Sequence, residues 1–289
     1  MIGHILSQMD IVHLREWIGR TETTEDEVTA TPAALLSATL DREDPEPRTG
    51  DPLGDPLPPL WHWLYFLPRH RQSQLAVDGH ARRGVFLPPV PLPRRMWAGG
   101  RFEFHRPLHI GERITRVSRI ADVRHKQGRT GDLVFVVVRH EISGLEGLAV
   151  VEEQDLVYRG HSESAPAPPA APSAHSCERT ICADDILLFR YSALTFNGHR
   201  IHYDRRYAVE AEGYPGLVVH GPLIAMLLLD LLRRNLPGAK VSHFSFRAVS
   251  PLFDTAPFSV CGQPEGDRVR LWAKNEAGGL AMDASAVLA

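Results

Sequence analysis

The sequence predicts an α+β protein made of two similar halves, in each of which a curved antiparallel sheet wraps around a central helix. Three observations lead to this prediction. An Ala/Pro/Ser-rich linker divides the chain at residues 161–176, the halves share a faint likeness when one is shifted by 144 positions, and the second half pairs an apolar helix with consecutive strand patterns.

Length and composition set the class of protein. The chain has 289 residues, which at about 150 residues per domain is enough for two globular units or one doubled unit. Hydrophobic residues make up 43% and charged residues 23%, the proportions of a folded globular protein. Lys and Arg total 32 against 35 Asp and Glu, a net charge of −3 with no long block of one sign. This balance argues against nucleic acid as a partner.

Two further features predict a cytoplasmic protein that does not bind a membrane. The first 17 residues mix polar and charged side chains among apolar ones, and the most apolar stretch, residues 217–232, is shorter than the roughly 20 residues that a membrane span needs. The three cysteines, Cys177, Cys182 and Cys261, are odd in number and form no Cys-x-x-Cys pair, which is typical of reduced thiols.

The first half is expected to open with a short helix that includes residues 13–18 and to continue in an irregular surface loop over residues 41–60, where six prolines break any periodic pattern. Apolar or alternating patterns rich in β-branched and aromatic residues then predict strands at residues 101–104, 114–120, 132–142 and 149–158. Of the next 16 residues, 161–176, 13 are Ala, Pro or Ser, a composition that predicts a linker.

The second half is expected to place a helix at residues 222–234, which starts with Pro222 and ends in two arginines. Strand patterns follow at residues 243–246, 258–261, 269–274 and 280–288. The helix is apolar on almost every side, broken only by Asp230 before its basic end, so it must be covered on most sides. A sheet wrapped around one buried helix, present twice, is the double hot-dog architecture.

The likeness between the halves rests on three matches. Phe102 falls on Phe246, Pro107 on Pro251 and Leu108 on Leu252, each where an aromatic-rich strand turns at a proline before another strand. We therefore expect an N-terminal half at residues 1–160, the linker at 161–176 and a C-terminal half at 177–289.

The chemistry is expected in one segment of the second half. Residues 191–208 read YSALTFNGHRIHYDRRYA, and residues 213–223 read GYPGLVVHGPL. The segment resembles the MaoC-like hydratase family, and this resemblance implies the addition of water to an α,β-unsaturated thioester. That reaction needs a base, a proton donor to the α-carbon and hydrogen-bond donors for the enolate oxygen. His202 can serve as the base, because imidazole titrates nearest neutral pH, although a loop or core histidine is the alternative.

Gly221 is the candidate for holding the enolate oxygen. It precedes Pro222 at the predicted helix start, where backbone N–H groups are unpaired and the helix dipole favours negative charge. An ordinary helix-start glycine is the alternative. His220 is expected to position this turn.

The resemblance to the MaoC-like hydratase family rests on a signature. The signature of that family is an acidic residue, four intervening residues, a His and a downstream His-Gly that opens the central hot-dog helix, and His202, Asp204, His220 and Gly221 stand at matching positions. Residues 57–66 (LPPLWHWLYF) and 84–100, with the form TFNGHRIHYD, look like the mesaconyl-C4-CoA and itaconyl-CoA hydratases, and more distantly like the mitochondrial 3-hydroxyacyl-thioester dehydratases. The resemblance implies hydration of a branched C4 dicarboxylic acyl-CoA to a citramalyl-type product.

The sequence departs from the family at one position. The usual aspartate falls on Asn197, an amide that cannot act as an acid or base at neutral pH. Asn197 is expected either to orient the water or hold the thioester, with His202 both taking and returning the proton, or to be a turn residue before Gly198.

A second carboxylate on the substrate would need a cation, and a guanidinium is its best partner. The candidates are Arg94, Arg95 and Arg200, although the first two can instead be solvated or contact CoA phosphates. Trp97, with Trp61 and Trp63, can line an acyl or adenine pocket or belong to the core.

We expect neither a metal nor another cofactor. His199 and His202, with His220 or Asp204, lack the His-x-x-x-His spacing of a helical metal site, and hydration of an activated thioester does not require a metal. The expected partner is an acyl-CoA thioester substrate, bound by a monomer of the doubled unit or by a homodimer.

Three other functions remain open. A (3R)-hydroxyacyl-thioester dehydratase of fatty-acid metabolism would need a deep apolar tunnel, a hot-dog thioesterase would release free CoA, and a non-catalytic acyl-CoA-binding protein would tolerate loss of His202. The first half lacks the histidine signature, so we expect it to shape the substrate pocket without catalysing the reaction.

Overall fold

The computed structural model describes residues 8–50, 53–128, 131–160 and 167–289. Within these ranges the α-helices are α1 (Gln8–Arg15), α2 (Ala30–Thr39), α3 (Asp185–Leu194) and α4 (Gly221–Asn235). The strands are β1 (Thr21–Glu27), β2 (Arg94–Phe104), β3 (Arg113–Gly128), β4 (Gly131–Gly144), β5 (Gly147–Arg159), β6 (Cys177–Ile181), β7 (Val241–Ala248), β8 (Phe258–Glu265), β9 (Arg268–Asn275) and β10 (Leu280–Leu288).

All ten strands belong to one antiparallel sheet, in the order β1-β3-β4-β5-β2-β7-β10-β9-β8-β6. The five strands of the first half and the five of the second half are joined by the pairing of β2 with β7. Their orders correspond when read outward from that junction, with β2 matching β7, β5 matching β10 and β4 matching β9. The predicted tandem arrangement of sheet units is therefore present as one continuous sheet.

The register at the junction explains the internal likeness. Arg101 is the cross-strand partner of Ser245, and Ser245 also lies 144 positions after it in the chain. A residue can be both the equivalent and the partner of another only at the axis of an approximate two-fold rotation. Phe102 and Phe246, matched in the sequence, lie on either side of this axis with nearly parallel rings, 6.1 Å between centroids.

The central helix of the second half is α4, close to its predicted bounds. Every residue from Leu223 to Leu232 is buried. Its one interior charge, Asp230, accepts hydrogen bonds from Arg42 at 2.7 Å, Arg179 at 2.9 Å and Arg234 at 2.7 Å. The three guanidinium groups compensate the buried carboxylate, and the bond from Arg42 ties α4 to the first half.

The first half differs from the expectation in its helix. Between residues 53 and 93 the only helical segments of the described chain are the 3-10 turns Trp61–Leu64 and Gln72–Gln74, and α2 packs against α3. Proline is frequent in this stretch and cannot donate the backbone hydrogen bond that a helix interior needs. A long central helix is therefore found in the second half, while irregular chain takes the corresponding place in the first.

The predicted linker falls partly outside the described residues, which resume at 167. There the chain follows the second half, because the Leu280 N–H donates to the Pro169 carbonyl at 2.8 Å and the Ala171 N–H donates to the Gly278 carbonyl at 2.9 Å.

No helix in the described ranges has both the length and the apolar character needed to cross a membrane. Cys177, Cys182 and Cys261 are free thiols.

Candidate active site

The candidate catalytic segment lies between α3 and α4. The Asp184 side chain caps α3 by accepting a hydrogen bond from the Leu187 N–H at 2.8 Å. After α3 the chain turns at Phe196, which has a φ of 48°, and forms the 3-10 turn Arg200–His202. It then leads through one π-helical turn, Tyr207–Ala211, to the start of α4.

His202 is buried at the end of the 3-10 turn. Its Nδ1 lies 2.7 Å from the Val218 carbonyl oxygen. Because a carbonyl only accepts, Nδ1 carries the proton and Nε2 keeps its lone pair. Burial lowers the pKa of His202 to about 4, against the opposing effect of the Val218 hydrogen bond. The residue is therefore a neutral imidazole with a free acceptor nitrogen, which is the form that a general base needs.

His220 lies directly behind His202. The two rings are stacked with centroids 3.7 Å apart and 19° between their planes. His220 Nε2 is 2.8 Å from the Ser192 hydroxyl oxygen. Burial, and then the neighbouring His202, hold the pKa of His220 well below its usual range. His220 thus stacks on His202 and is the residue that directly precedes α4.

Gly221 is the first residue of α4. A Cβ built on it would meet no described atom within 4 Å, so open space faces the start of this helix. The N–H groups of a first helical turn have no partner within the helix and point out from its end. The geometry can accept a developing negative charge at this position.

Asn197 is a turn residue in this structure. Its Oδ1 accepts a hydrogen bond from the His199 N–H at 3.0 Å, and its own N–H donates to the Ser192 carbonyl at 2.8 Å. The side-chain oxygen that could hold a water is therefore engaged with the backbone. The alternative of a turn residue before Gly198 describes this geometry better than a catalytic amide does.

Two residues at the site come from the first half and were not singled out in the sequence. The ring of His80 lies 4.0 Å from the ring of His199, which in turn lies 5.4 Å from the ring of His202. Asp78 accepts a hydrogen bond from His80 Nδ1 at 3.1 Å. Burial, followed by the charges of His80 and His202, lowers the pKa of His199 to about 2.

Arg94 and Arg200 are engaged by carboxylates of the protein. The Arg94 guanidinium donates a hydrogen bond to the Glu212 carbonyl oxygen at 2.8 Å, and its Nε lies 3.3 Å from the Glu212 carboxylate. Arg200 donates to Asp204 at 3.0 and 2.7 Å and to the Val77 carbonyl at 3.2 Å. Both arginines connect the site segment to the first half.

Arg95 is different, because it forms no ion pair with a carboxylate in the described part of the chain. Its positive charge lowers the pKa of His80, second to burial, and also that of His199, so the guanidinium is within electrostatic reach of both histidines. It likewise opposes the burial that raises the pKa of Tyr158, both through its charge and through a hydrogen bond to the Tyr158 hydroxyl.

Trp97 packs between the two halves. Its indole N–H donates to the Gly99 carbonyl at 2.7 Å, and its ring contacts Trp63 at 5.0 Å and Phe246 at 5.8 Å. Trp61 and Trp63 also pack in the core of the first half, where Trp63 donates to the buried Glu152 at 3.1 Å. These contacts match the core alternative for the three tryptophans.

One cluster of possible metal ligands lies in the site. Asp78, His80 and His199 bring one ligand atom each within 4.8 Å of one another, a set that the sequence spacing did not indicate. The Asp78 carboxylate is already engaged by His80, and the charge of Arg95 is within electrostatic reach of the same ring. A nearby guanidinium repels a cation, so the surroundings fit an anionic group better.

An open groove of about 850 Å³ crosses the outer face of the sheet where β2 meets β7. Its charged residues include Arg101, Asp155, Arg247 and Asp283, and none of the histidines of the site lines it. Arg101 and Asp155 are paired with each other at 2.6 Å. The groove is therefore separate from the site.

Comparisons with known proteins identify the family and the fold. The family model described as "Hydroxyacyl-thioester dehydratase type 2" matches residues 60–254. The mesaconyl-C(4)-CoA hydratase of Chloroflexus aurantiacus is 52% identical over 276 residues, which cover 94% of this chain and 96% of that protein. The mitochondrial hydroxyacyl-thioester dehydratase type 2 of Schizosaccharomyces pombe is 30% identical over 75% of this chain and 80% of its own length.

Solved structures share the architecture at low sequence identity. A MaoC-like dehydratase superimposes with a TM-score of 0.70 at 16% identity, covering 94% of this chain and 98% of that one. A Mycobacterium tuberculosis protein described as having a double hotdog fold gives a TM-score of 0.58 at 14% identity over 94% of this chain and 96% of that one. The predicted double hot-dog fold is confirmed.

Proposed function

This chain belongs to the hydroxyacyl-thioester dehydratase type 2 family, and from that premise we propose that it is a hydro-lyase that adds water reversibly across the α,β-double bond of a short branched dicarboxylic enoyl-CoA. The substrate is mesaconyl-C4-CoA or itaconyl-CoA, and the product is citramalyl-CoA. The observation that carries the proposal is the 52% identity, over 94% of the chain, to a mesaconyl-C(4)-CoA hydratase.

His202 is the general base of the reaction. Its Nε2 lone pair takes a proton from water while the water oxygen bonds to the β-carbon, and the same nitrogen returns the proton to the α-carbon. The neutral state set by burial and the orientation set by Val218 and His220 support this role. General acid–base catalysis of this kind contributes about 10²–10⁴-fold to a rate.

Gly221 supplies the backbone N–H that holds the enolate oxygen. The open space in front of its Cα lets the thioester carbonyl approach the start of α4. The helix dipole adds a favourable field at that point. Asn197 acts indirectly, by fixing the turn that carries His199 and the 3-10 helix.

Arg95 binds the distal carboxylate of the acyl group. Two of the three candidate arginines are already paired, Arg94 with Glu212 and Arg200 with Asp204. Arg95 has no carboxylate partner among the described residues, and its charge acts on the pKa of His80. A substrate carboxylate would compensate this half-buried charge and would also accept a hydrogen bond from the Tyr158 hydroxyl.

The two halves of the chain have different roles in this proposal. Residues 177–289 carry His202, His220 and Gly221, while residues 1–160 shape the pocket, and residues 161–176 link them. The protein works as a monomer of the doubled unit or as a homodimer in the cytoplasm, and the hydration itself calls for no cofactor. Free cysteines support the reducing compartment.

The test is a mass-resolved hydration assay of the purified protein with mesaconyl-C4-CoA, itaconyl-CoA and crotonyl-CoA. Hydration of the dicarboxylic thioesters in strong preference to crotonyl-CoA is the expected result. A preference for crotonyl-CoA would instead favour a (3R)-hydroxyacyl-thioester dehydratase of fatty-acid metabolism, and release of free CoA without hydration would make the protein a thioesterase.

A further inference from the structure

A tight turn of the first half is packed against the catalytic segment. A bridge between Leu75 and Ala81 closes a short hairpin, and its tip is Asp78-Gly79-His80. The Arg200 N–H donates to the Asp78 carbonyl at 2.9 Å. At Gly79 φ is 89°, and a Cβ there would overlap the Gly198 carbonyl oxygen. The two backbones are therefore in direct contact, and this contact places His80 in the site.

The hairpin tip fixes both the backbone and the ring of His80. Asp78 Oδ1 accepts from the His80 N–H at 3.0 Å, and Asp78 Oδ2 accepts from the His80 ring Nδ1 at 3.1 Å. The bond from His80 holds the pKa of Asp78 below its usual range even though burial opposes this, so the carboxylate is ionised and can only accept. His80 therefore carries its proton on Nδ1 and keeps the lone pair of Nε2 free.

The charge state of His80 affects the pKa of His202. Both rings lie close to the ring of His199, at centroid distances of 4.0 Å and 5.4 Å from it. A positive charge on His80 lowers the pKa of His202, an effect that decays with distance. Two histidines with free Nε2 acceptors thus lie in one site, one contributed by each half of the chain.

The reaction needs such a second acceptor. A water molecule attacks through an oxygen lone pair, and that lone pair is aimed only when both of its O–H groups are held. His202 Nε2 holds one O–H. At position 197 one lone pair of Asn197 Oδ1 is already taken by the His199 N–H, whereas His80 Nε2 makes no hydrogen bond to any described residue.

We propose that His80, held by Asp78, is the second acceptor for the attacking water. One O–H bond of the water breaks toward His202 Nε2 as the oxygen bonds to the β-carbon, and the π electron pair moves to the α-carbon, which then takes the proton from His202. The other O–H stays intact, donates to His80 Nε2 and remains as the hydroxyl of the product. Asp78 and His80 gain and lose no proton over the cycle. The inference rests on the proposed hydration.

The first test is the substitution Asp78→Asn in the full chain. The amide can donate to Nδ1, which moves the proton of His80 to Nε2 and removes the acceptor. We expect kcat for hydration to fall at least 100-fold, with KM changed less than threefold because the proposal assigns the thioester to Gly221 and the distal carboxylate to Arg95. His80→Leu is expected to give the same loss.

The matched control is Asp132→Asn. Asp132 accepts from His125 at 2.8 Å, and its side chain is 24% exposed against 28% for Asp78, but the pair lies on β3 and β4 away from the site. This variant should keep the wild-type kcat. Retention of kcat within twofold in Asp78→Asn and His80→Leu, in a wild type that hydrates the substrate, would overturn this inference and leave the proposed function standing.

A rescue experiment separates a role at the water from a role in folding. Adding Asn197→Asp to Asp78→Asn places a carboxylate at the position of the usual aspartate of the family, five residues before His202, and we expect kcat to recover at least tenfold. A purely structural role of Asp78 predicts no recovery, and that result would overturn the proposal.

The tautomer of His80 can be measured without turnover. Nitrogen-15 NMR of the labelled imidazole should show the proton on Nδ1 in the wild type and on Nε2 in Asp78→Asn. A wild-type proton on Nε2 would contradict the proposal even if the protein hydrates none of the thioesters. Loss of activity with a chelator and its recovery with Zn²⁺ would also contradict the proposal. Asp78, His80 and His199 would then form a metal site.

Discussion

Burial keeps the histidines of the site neutral at physiological pH. His202 and His220 are stacked at 3.7 Å, a distance at which two imidazolium ions would repel each other strongly. Loss of hydration disfavours the charged form of each ring, so the neutral rings are tolerated inside the protein. Burial therefore leaves His202 in the neutral form that its proposed role as a base requires.

This neutrality predicts the pH dependence of the reaction. The pKa of His202 is lowered to about 4, so its base form is fully populated above that value and is lost as the pH falls through it. We expect kcat/KM, which reports the free enzyme, to stay constant from pH 8 to pH 6 and to fall only toward pH 4. Circular dichroism at each pH controls for unfolding. An acidic limb centred near 6.5 would mean that His202 is solvated as an ordinary histidine.

Neighbouring arginines provide a matched test of substrate selection. We expect Arg95→Met to lower kcat/KM for mesaconyl-C4-CoA at least 100-fold while changing crotonyl-CoA hydration less than fivefold, because only the first substrate has a distal carboxylate. The measurement is the ratio of the two specificity constants. Arg94→Met, which removes an arginine bound to Glu212, should leave that ratio unchanged. If the wild type, Arg95→Met and Arg94→Met gave the same ratio, Arg95 would not bind the distal carboxylate.

The sequence predicted part of this arrangement at the residue scale. His202, His220 and Gly221 follow from one segment, because a base and a helix start can be recognised from local spacing. His80 and Asp78 could not be found in this way, since they are more than 110 positions from His202 in the chain and carry no motif. The distinction between Arg94 and Arg95 depends on the tertiary partner Glu212, which no local pattern reveals.

Among the elements, the Leu75–Ala81 hairpin connects the halves at the site. Gly79 and Gly111 have almost the same φ, 89° and 88°, so an added Cβ costs each the same backbone strain. Only at Gly79 does that Cβ also overlap another segment, at Gly198.

We therefore expect Gly79→Ala to reduce kcat at least tenfold by displacing the hairpin, and Gly111→Ala to lower the melting temperature without changing kcat. Steady-state kinetics and thermal unfolding of both variants check this. Equal kinetic effects in the two would show that strain, rather than docking of the hairpin, is responsible.

The strands and α4 were predictable because their apolar patterns reflect direct burial. Four elements were missed: the strands β1 and β6, which form the two edges of the sheet, and the helices α2 and α3, which pack against each other. β1 reads TETTEDE and is an edge strand, so its composition looks like a loop, and α2 follows it closely. The expected helix at residues 13–18 is instead α1, Gln8–Arg15, followed by turns to Gly19. Edge position and tertiary packing, rather than local propensity, decided these cases.

At the scale of the whole molecule, the sheet is continuous from one half of the chain to the other. The β2–β7 ladder and the packed rings of Phe102, Phe244 and Phe246 cross the boundary between the halves. Three matches in the sequence were enough to indicate the repeat. The loss of the long helix in the first half was not indicated, because it depends on what the irregular chain between residues 53 and 93 packs against.

Cleavage of the chain within residues 161–166 tests this continuity. With a protease site placed there, the two fragments should stay associated and keep at least half of the wild-type kcat, because the shared sheet and apolar rings hold them together. Size-exclusion chromatography and kinetics measure both properties. After separation in denaturant, the C-terminal fragment alone should be inactive and should regain activity with its partner. Spontaneous dissociation, or full activity of that fragment alone, would contradict a shared site.

The central claim is that His202 performs the hydration. The most direct measurement is kcat of His202→Ala with mesaconyl-C4-CoA, compared with His140→Ala, since both histidines are 8% exposed and burial lowers the pKa of each to about 4. We predict a loss of about 10²–10⁴-fold for His202→Ala and less than threefold for His140→Ala. Full activity of His202→Ala, or equal losses in the two variants, would contradict the claim.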